Sequence, residues 1–345
     1  MSADLYLPAG WLNFDYISSK PAWLYVVIGK RQVGKTYGAL QHMLREDKSF
    51  ILLRRTTAEL NMITSNPKFN PFKPFVPEFY VDLFKSGDVY SIKDYSLDDH
   101  GKAKEGKERG IATSLTQISK IRGFDGSAFT DIVFDEFIPE KGVITRKSEG
   151  DAILNALTTI GGNRELNGKP PLKVWLLANT NNISSAILDA LDLTDIVLKM
   201  RRKGLEEYIT DDGCVIIQPQ SEVITEKRKE TALMKRISKK SEFYGMAIEN
   251  EWSYDVSPYI KTLSLKGMHP VFSFDDNIYC WENDKGFYIC KAAFHGKAPK
   301  FSNNQTDRET LARQFGSLID AYYAGIVFFA DLRCQSIFKS IFGID

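Results

Sequence analysis

The sequence predicts an α/β protein: a doubly wound sheet, then a helical tract, then a small α+β domain. Three observations predict it. Residues 22–28 (AWLYVVI), 50–53 (FILL) and 172–178 (LKVWLLA) are short, almost wholly apolar runs rich in β-branched and aromatic side chains, the pattern of strands buried on both faces. Stretches between such runs carry apolar residues at helical spacing, and polar residues stand at the strand ends, as in an open sheet wound by helices. Beyond Pro258 the pattern changes to shorter strands, VFSF, IYCW and GFYICKAAF, followed by helical RETLARQFGSLIDAYYAG, a strand IVFFA and a terminal helix. At 345 residues two domains are expected, and 43% hydrophobic against 26% charged residues leaves ample core.

The first buried run leads into GKRQVGKT at residues 29–36, which fills every fixed position of the phosphate-binding loop pattern GxxxxGK[ST]. That pattern also arises by chance in turns that bind nothing. Here it stands between a strand and a helix, with Tyr37, Leu40, Met43 and Leu44 at helical spacing, the setting in which successive backbone N–H groups cradle phosphates. The expected nucleotide contacts are therefore Gly29, Lys30, Arg31, Gln32, Val33, Gly34, Lys35, Thr36 and Tyr37. Gly29 and Gly34 permit the tight turn, Lys35 reaches the β and γ phosphates, and Thr36 offers its hydroxyl to Mg2+.

Residues 1–20 hold Tyr6, Trp11, Phe14, Tyr16 and Ile17 and are too aromatic for a disordered tail. Tyr16 and Ile17 are candidates for covering the adenine, against plain packing. The second strand ends in Arg54 and Arg55, which either touch the nucleotide or a neighbouring subunit, or are surface arginines. Four prolines in residues 66–77 exclude a regular element. Residues 89–95 and 110–116 alternate like a hairpin whose tip, 100–110, carries Lys102, Lys104, Lys107 and Arg109 against Glu105 and Glu108. The tip reads as a mobile solvated loop or as a contact to a nucleic-acid backbone.

Residues 130–137 (TDIVFDEF) form a strand ending in an acidic pair about 100 residues after the loop. Asp135 is placed to hold Mg2+ and Glu136 to take the proton from an attacking water, two tasks that need adjacent but separate carboxylates. A helix over 148–160 stops at Gly161 and Gly162, and Asn179 ends the next strand, either sensing the γ-phosphate or capping a helix at Ile183. Residues 208–209 and 215–217 suggest a further hairpin. Residues 222–252 read as helical and include the most basic tract, with Lys227, Arg228, Lys229, Lys235, Arg236, Lys239 and Lys240, suited to phosphates or to a solvated interdomain helix.

The formal net charge of +1 does not exclude a polyanionic partner, since basic residues are unevenly placed. Cys214, Cys280, Cys290 and Cys334 lie far apart without a CxxC pair, so neither a zinc site nor a disulfide framework is indicated. Neither a membrane span nor a signal peptide is evident, and a soluble intracellular protein is expected.

With both motifs placed, the chain resembles the DNA-packaging ATPases of phi29-like phages, relatives of terminase motors. The resemblance rests on VIGKRQVGKTY, FILLRRTTAEL, IVFDEF, NRE at 163–165, LLAN ending at Asn179, and the closing strand and helix around 328–338. It implies an ASCE-type P-loop ATPase domain over 1–220, a helical lid or linker over 221–257, and an RNase H-like nucleic-acid-binding domain over 258–345. Lys35, Thr36, Asp135 and Glu136 carry over as the hydrolytic set with ATP and Mg2+, Asn179 beside them. Arg31 matches an arginine common in the group. Arg164 is the first choice for a finger acting in a neighbouring site, with Arg122 and Arg146 as alternatives.

The function implied is ATP-driven translocation of double-stranded viral DNA into a procapsid, in the cytoplasm of the infected bacterial host. The partners implied are the DNA, further copies in a ring expected to be a pentamer, the portal or connector, and a structural packaging RNA, with no membrane. A helicase, a small-molecule kinase and a nucleotide-gated binding module are the competing readings. Asp275, Asp276, Glu282, Asp284 and Asp331 do not make a full acidic set at strand centres, so the last domain is expected to bind nucleic acid without cutting it.

Overall fold

The structure is a computed structural model of the chain, and it describes residues 4–76, 78–118, 126–139, 148–162, 164–179, 185–239, 241, 244–245, 259–275, 278–294 and 296–344. The chain divides into two compact units, Met1–Leu191 with Lys199–Tyr254, and Asp192–Leu198 with Asp255–Asp345.

The first unit is built on a nine-stranded mixed sheet. Its strands are β1 (Leu24–Ile28), β2 (Phe50–Arg54), β3 (Val81–Ser86), β4 (Val89–Leu97), β5 (Ala103–Ser114), β6 (Asp131–Asp135), β7 (Lys173–Ala178), β8 (Glu207–Ile209) and β9 (Cys214–Ile217). They lie in the order β3-β4-β5-β2-β6-β7-β1-β9-β8. The six strands from β5 to β9 in that order are parallel, and β3, β4 and β8 extend the edges antiparallel. β1, β2 and β6 are buried along their length and β7 from Val174 on, because helices cover a parallel sheet on both faces. Trp175 of β7 stacks on Tyr25 of β1, ring centroids 4.1 Å apart, and its indole N–H donates to buried Asp131 at 3.1 Å. This gives a fully buried tryptophan the partner its polar atom requires.

Helices α1 (Phe14–Ser18), α2 (Lys35–Arg45), α3 (Thr57–Ser65), α4 (Leu115–Ile118), α5 (Ser148–Gly161), α6 (Ala186–Ala190), α7 (Thr194–Lys203), α8 (Glu222–Lys229) and α9 (Ala232–Arg236) complete this part of the chain. α2 buries Leu40, Met43 and Leu44 but leaves Tyr37 exposed, although all four share its helical spacing. The helical tract of 222–252 breaks at Thr231, which caps α9 by accepting from Met234 N. This tract belongs to the first unit as far as Tyr254. Its charge is partly neutralised, Lys229 by Glu226 and Lys235 by Glu230, both at 2.7 Å, while Lys240 and Trp252 lie outside the described residues.

The expected mobile tip at 100–110 is corrected. β5 begins at Ala103, so only the short turn around Asp98–Lys102 remains. Lys107 pairs with Asp47 at 2.7 Å, Arg109 with Asp94 and Asp47, and Lys93 with Glu105 at 2.9 Å. In-chain partners therefore engage Glu105, Lys107 and Arg109, while Lys102, Lys104 and Glu108 stay exposed.

The second unit carries a five-stranded sheet ordered β13-β10-β11-β12-β14, with β10 (His269–Phe274), β11 (Ile278–Asn283), β12 (Gly286–Cys290), β13 (Lys300–Phe301) and β14 (Val327–Phe329). β10, β11 and β12 form an antiparallel meander, and β13 and β14 add in parallel beside β10 and β12. α10 (Gln305–Gln314), α11 (Ser317–Tyr323) and α12 (Leu332–Phe342) follow. Asp331 caps α12 by accepting from Cys334 N at 2.7 Å and pairs with Lys291. Asp276 lies outside the described residues.

Candidate nucleotide site

Because β1, β2, β6 and β7 run parallel, Ile28, Arg54, Asp135 and Ala178 all lie at the same edge of the sheet, the edge where open α/β folds bind ligands. Gly34 caps α2 with φ 86°, a left-handed backbone that costs glycine nothing. A cavity of about 340 Å3 opens there, lined by Arg31, Gln32, Gly34, Lys35, Thr36, Tyr37, Asp135, Glu136, Ala178 and Asn179.

Lys35 is buried, and its ammonium donates to Gly29 O and Lys30 O at 2.8 Å and to Asn179 Oδ1 at 2.9 Å. Burial pulls this lysine down to about 7, against the opposing pull of Asp135 and Glu136. The Thr36 hydroxyl donates to Asp135 Oδ1 at 2.9 Å. Across the site Arg54 donates from Nη1 to Asp135 Oδ2 and from Nη2 to Glu136 Oε2, both at 2.6 Å, while its Nε is buried without a partner among the described residues. Glu136 itself has φ 57°, a strained value for a residue with a Cβ, of the kind that gathers at functional sites. A hydroxyl beside a carboxylate suits Mg2+, which takes oxygen ligands and keeps several waters, using one or two carboxylates together with substrate phosphates. Thr36 and Asp135 fit that description.

Of the loop residues expected at the nucleotide, Gly29, Lys30 and Val33 are not on the cavity wall. Val33 is fully buried in the core, and the Lys30 ammonium turns to the Thr225 hydroxyl of α8. Burial and neighbouring Arg228 bring Lys30 down to about 8. Arg228 also donates to Arg31 O at 2.9 Å, so α8 holds the loop backbone from behind, a contact sequence spacing could not announce. Asn179 lies on the wall bonded to Lys35, and the helix it was an alternative cap for begins later, at Ala186 after Ser185. Ile183 lies outside the described residues.

Several expectations are corrected. Arg54 and Arg55 are buried and engaged by carboxylates of their own chain, Arg55 by Glu59 at 3.0 Å and Glu149 at 3.1 Å, so neither is a surface arginine. Ile17 is wholly buried and serves packing, while the half-buried Tyr16 donates its hydroxyl to Glu207 at 2.9 Å. The Arg164 guanidinium is drawn inward, donating to Pro170 O at 3.1 Å, Ser127 O at 3.1 Å and Phe129 O at 3.0 Å. In this chain the side chain ties together its own loops. Arg122, Arg146 and Asn163 lie outside the described residues.

A family model, the podovirus DNA encapsidation protein (Gp16), matches residues 9–343. The chain belongs to that family. Two solved structures share the fold of this Gp16-family chain. One is described as the bacteriophage Phi-29 viral genome packaging motor assembly, 20% identical, covering 99% of each chain with a TM-score of 0.64. The other, the Phi-28 gp11 DNA packaging motor, is 15% identical and covers 97% of each chain with a TM-score of 0.61. No curated protein matches the Gp16-family chain.

Proposed function

We propose that this chain is an ATP-hydrolysing motor that drives double-stranded viral DNA into a procapsid. The observation that carries the proposal is the convergence of Lys35, Thr36, Asp135 and Glu136 on one cavity, in a chain matched almost end to end by an encapsidation family.

The loop N–H groups and the N-terminus of α2 receive the phosphates, and phosphate oxygens compete with Gly29 O, Lys30 O and Asn179 for the Lys35 ammonium. Thr36 and Asp135 would hold Mg2+, which would supply charge neutralisation on the phosphates. Glu136 takes the proton of the attacking water. Its Oε2 is engaged by Arg54, so turnover waits on that contact opening. Asn179, sharing the Lys35 proton donor, is placed to respond to the γ-phosphate.

An ASCE-type assignment rests on β7 lying between β1, which leads into the loop, and β6, which carries the acids. An RNase H-like reading of the last domain rests on the meander β10 to β12 with a parallel strand beside β10. We extend the proposal to domains at 1–220, 221–257 and 258–345, a pentameric ring, and the portal and a packaging RNA as partners in the host cytoplasm. A finger supplied in trans would come from Arg146 or Arg122.

Phosphate release measured with and without duplex DNA tests the proposal, and duplex-stimulated release is expected. No turnover in either condition would sink it; phosphate transfer to a small molecule would make the chain a kinase, and duplex unwinding would make it a helicase.

A further inference from the structure

A nucleotide held by its phosphates at residues 31–36 still has a base to place. A planar base either finds a flat apolar partner or stays in water, and stacking on an aromatic ring is the strong option. Tyr37 lines the cavity, but its ring already stacks on Phe75 with centroids 4.7 Å apart. Trp11 is different. It is 43% exposed, although large aromatic rings are usually well buried. Its indole edge abuts the loop, with Cε3 3.5 Å from where a Cβ on Gly34 would stand.

The turn that presents Trp11 is rigidly held. Leu7 N donates to Trp11 O at 2.8 Å, and Leu12 N donates to Val33 O at 3.1 Å, fastening the turn to the loop. Ser221, the N-cap of α8, donates to Gly10 O at 2.8 Å on the other side. An exposed ring on a fixed backbone beside a phosphate loop loses little freedom when it is covered, the condition for a preorganised contact.

We infer that Trp11 is the platform on which the base of the bound nucleoside triphosphate stacks. The inference rests on the nucleotide reading of the loop. Trp11 thus supplies affinity for the nucleoside part, while Lys35 and the loop supply affinity for the phosphates.

The test titrates the full chain with Mg2+ and either ATP or inorganic triphosphate, which keeps the phosphates and lacks the base. Trp11→Ala should weaken ATP binding by on the order of tenfold or more and leave triphosphate binding as in the parent. Trp11→Phe, which keeps a ring, should retain most of the ATP affinity, and ATP but not triphosphate should quench the parent's tryptophan fluorescence. Unchanged ATP affinity in Trp11→Ala overturns the inference, as does equal loss of ATP and triphosphate, which would make Trp11 a support of the loop. If the parent binds neither ligand, or Lys35→Ala binds ATP as the parent does, the nucleotide reading itself fails.

Discussion

Arg54 donates to Glu136 at 2.6 Å, so the carboxylate proposed to activate water is held by an arginine from the neighbouring strand. The same guanidinium bonds Asp135 at 2.6 Å, one arm of its planar fork to each acid. Arg54→Lys keeps the charge but loses the planar two-armed geometry that fits both acids, so basal turnover should rise and the ratio of duplex-stimulated to basal phosphate release should fall toward one. A ratio equal to the parent's would remove Arg54 as a gate.

Neutralising the proposed base should separate binding from chemistry. Glu136→Gln is expected to bind ATP like the parent and to hydrolyse it about 10²- to 10⁴-fold more slowly, because Asp135 and Thr36 stay in place. Lys35→Ala should lose tight ATP binding. Steady-state phosphate release and equilibrium binding check the pair, and near-normal turnover in Glu136→Gln would exclude that role.

Arg164 should behave as a structural residue. Removing a buried guanidinium that serves three carbonyls is expected to cost roughly 2–4 kcal/mol, read as a lowered midpoint in thermal unfolding. Mixing Arg164→Ala with Lys35→Ala subunits should then restore no hydrolysis. Rescue at some mixing ratio would show that Arg164 reaches a neighbouring site after all.

Lys35 makes nucleotide affinity depend on pH. Burial brings its ammonium down to about 7, and phosphate oxygens raise it again by favouring the charged form. Above about pH 7 the site must take up a proton to bind, so affinity is full below that point and falls as pH rises, by up to about tenfold per unit. Calorimetry in buffers of different ionisation enthalpy should register the proton uptake. For the nucleotide-free fold the sign reverses: the unfolded lysine, at 10.5, binds the proton that the folded one releases, so the Lys35 contribution to stability grows as pH climbs from about 7.

The full chain should leave supercoiled plasmid intact in Mg2+ or Mn2+. Among the described residues no group of three His, Cys, Asp or Glu is arranged to hold a metal, and Asp331 is engaged by Lys291 and the start of α12. Metal-dependent nicking that Asp275→Ala or Asp331→Ala abolishes would contradict this.

What the sequence by itself determined was local. The phosphate loop, the strand ending in Asp135 and Glu136, and the alternation of buried strands with helices are written in short windows, because backbone turn geometry and burial periodicity are set by neighbouring residues. Even so, periodicity alone put Tyr37 with the buried face of α2, while the fold leaves it exposed. What only the tertiary structure decided were the partners of long polar side chains and the fate of single aromatics. Arg54 meets Asp135 and Glu136 because β2 pairs with β6, a strand order that no local pattern encodes. Arg164 turns inward to the carbonyls of Ser127 and Phe129, the second of which is buried and needs a donor. Of the aromatics near the N-terminus, Phe14 and Ile17's neighbourhood is core while Trp11 faces solvent beside Gly34, a choice made by how the turn docks against the loop and α8, since side chains of similar polarity are sorted by the space left to them.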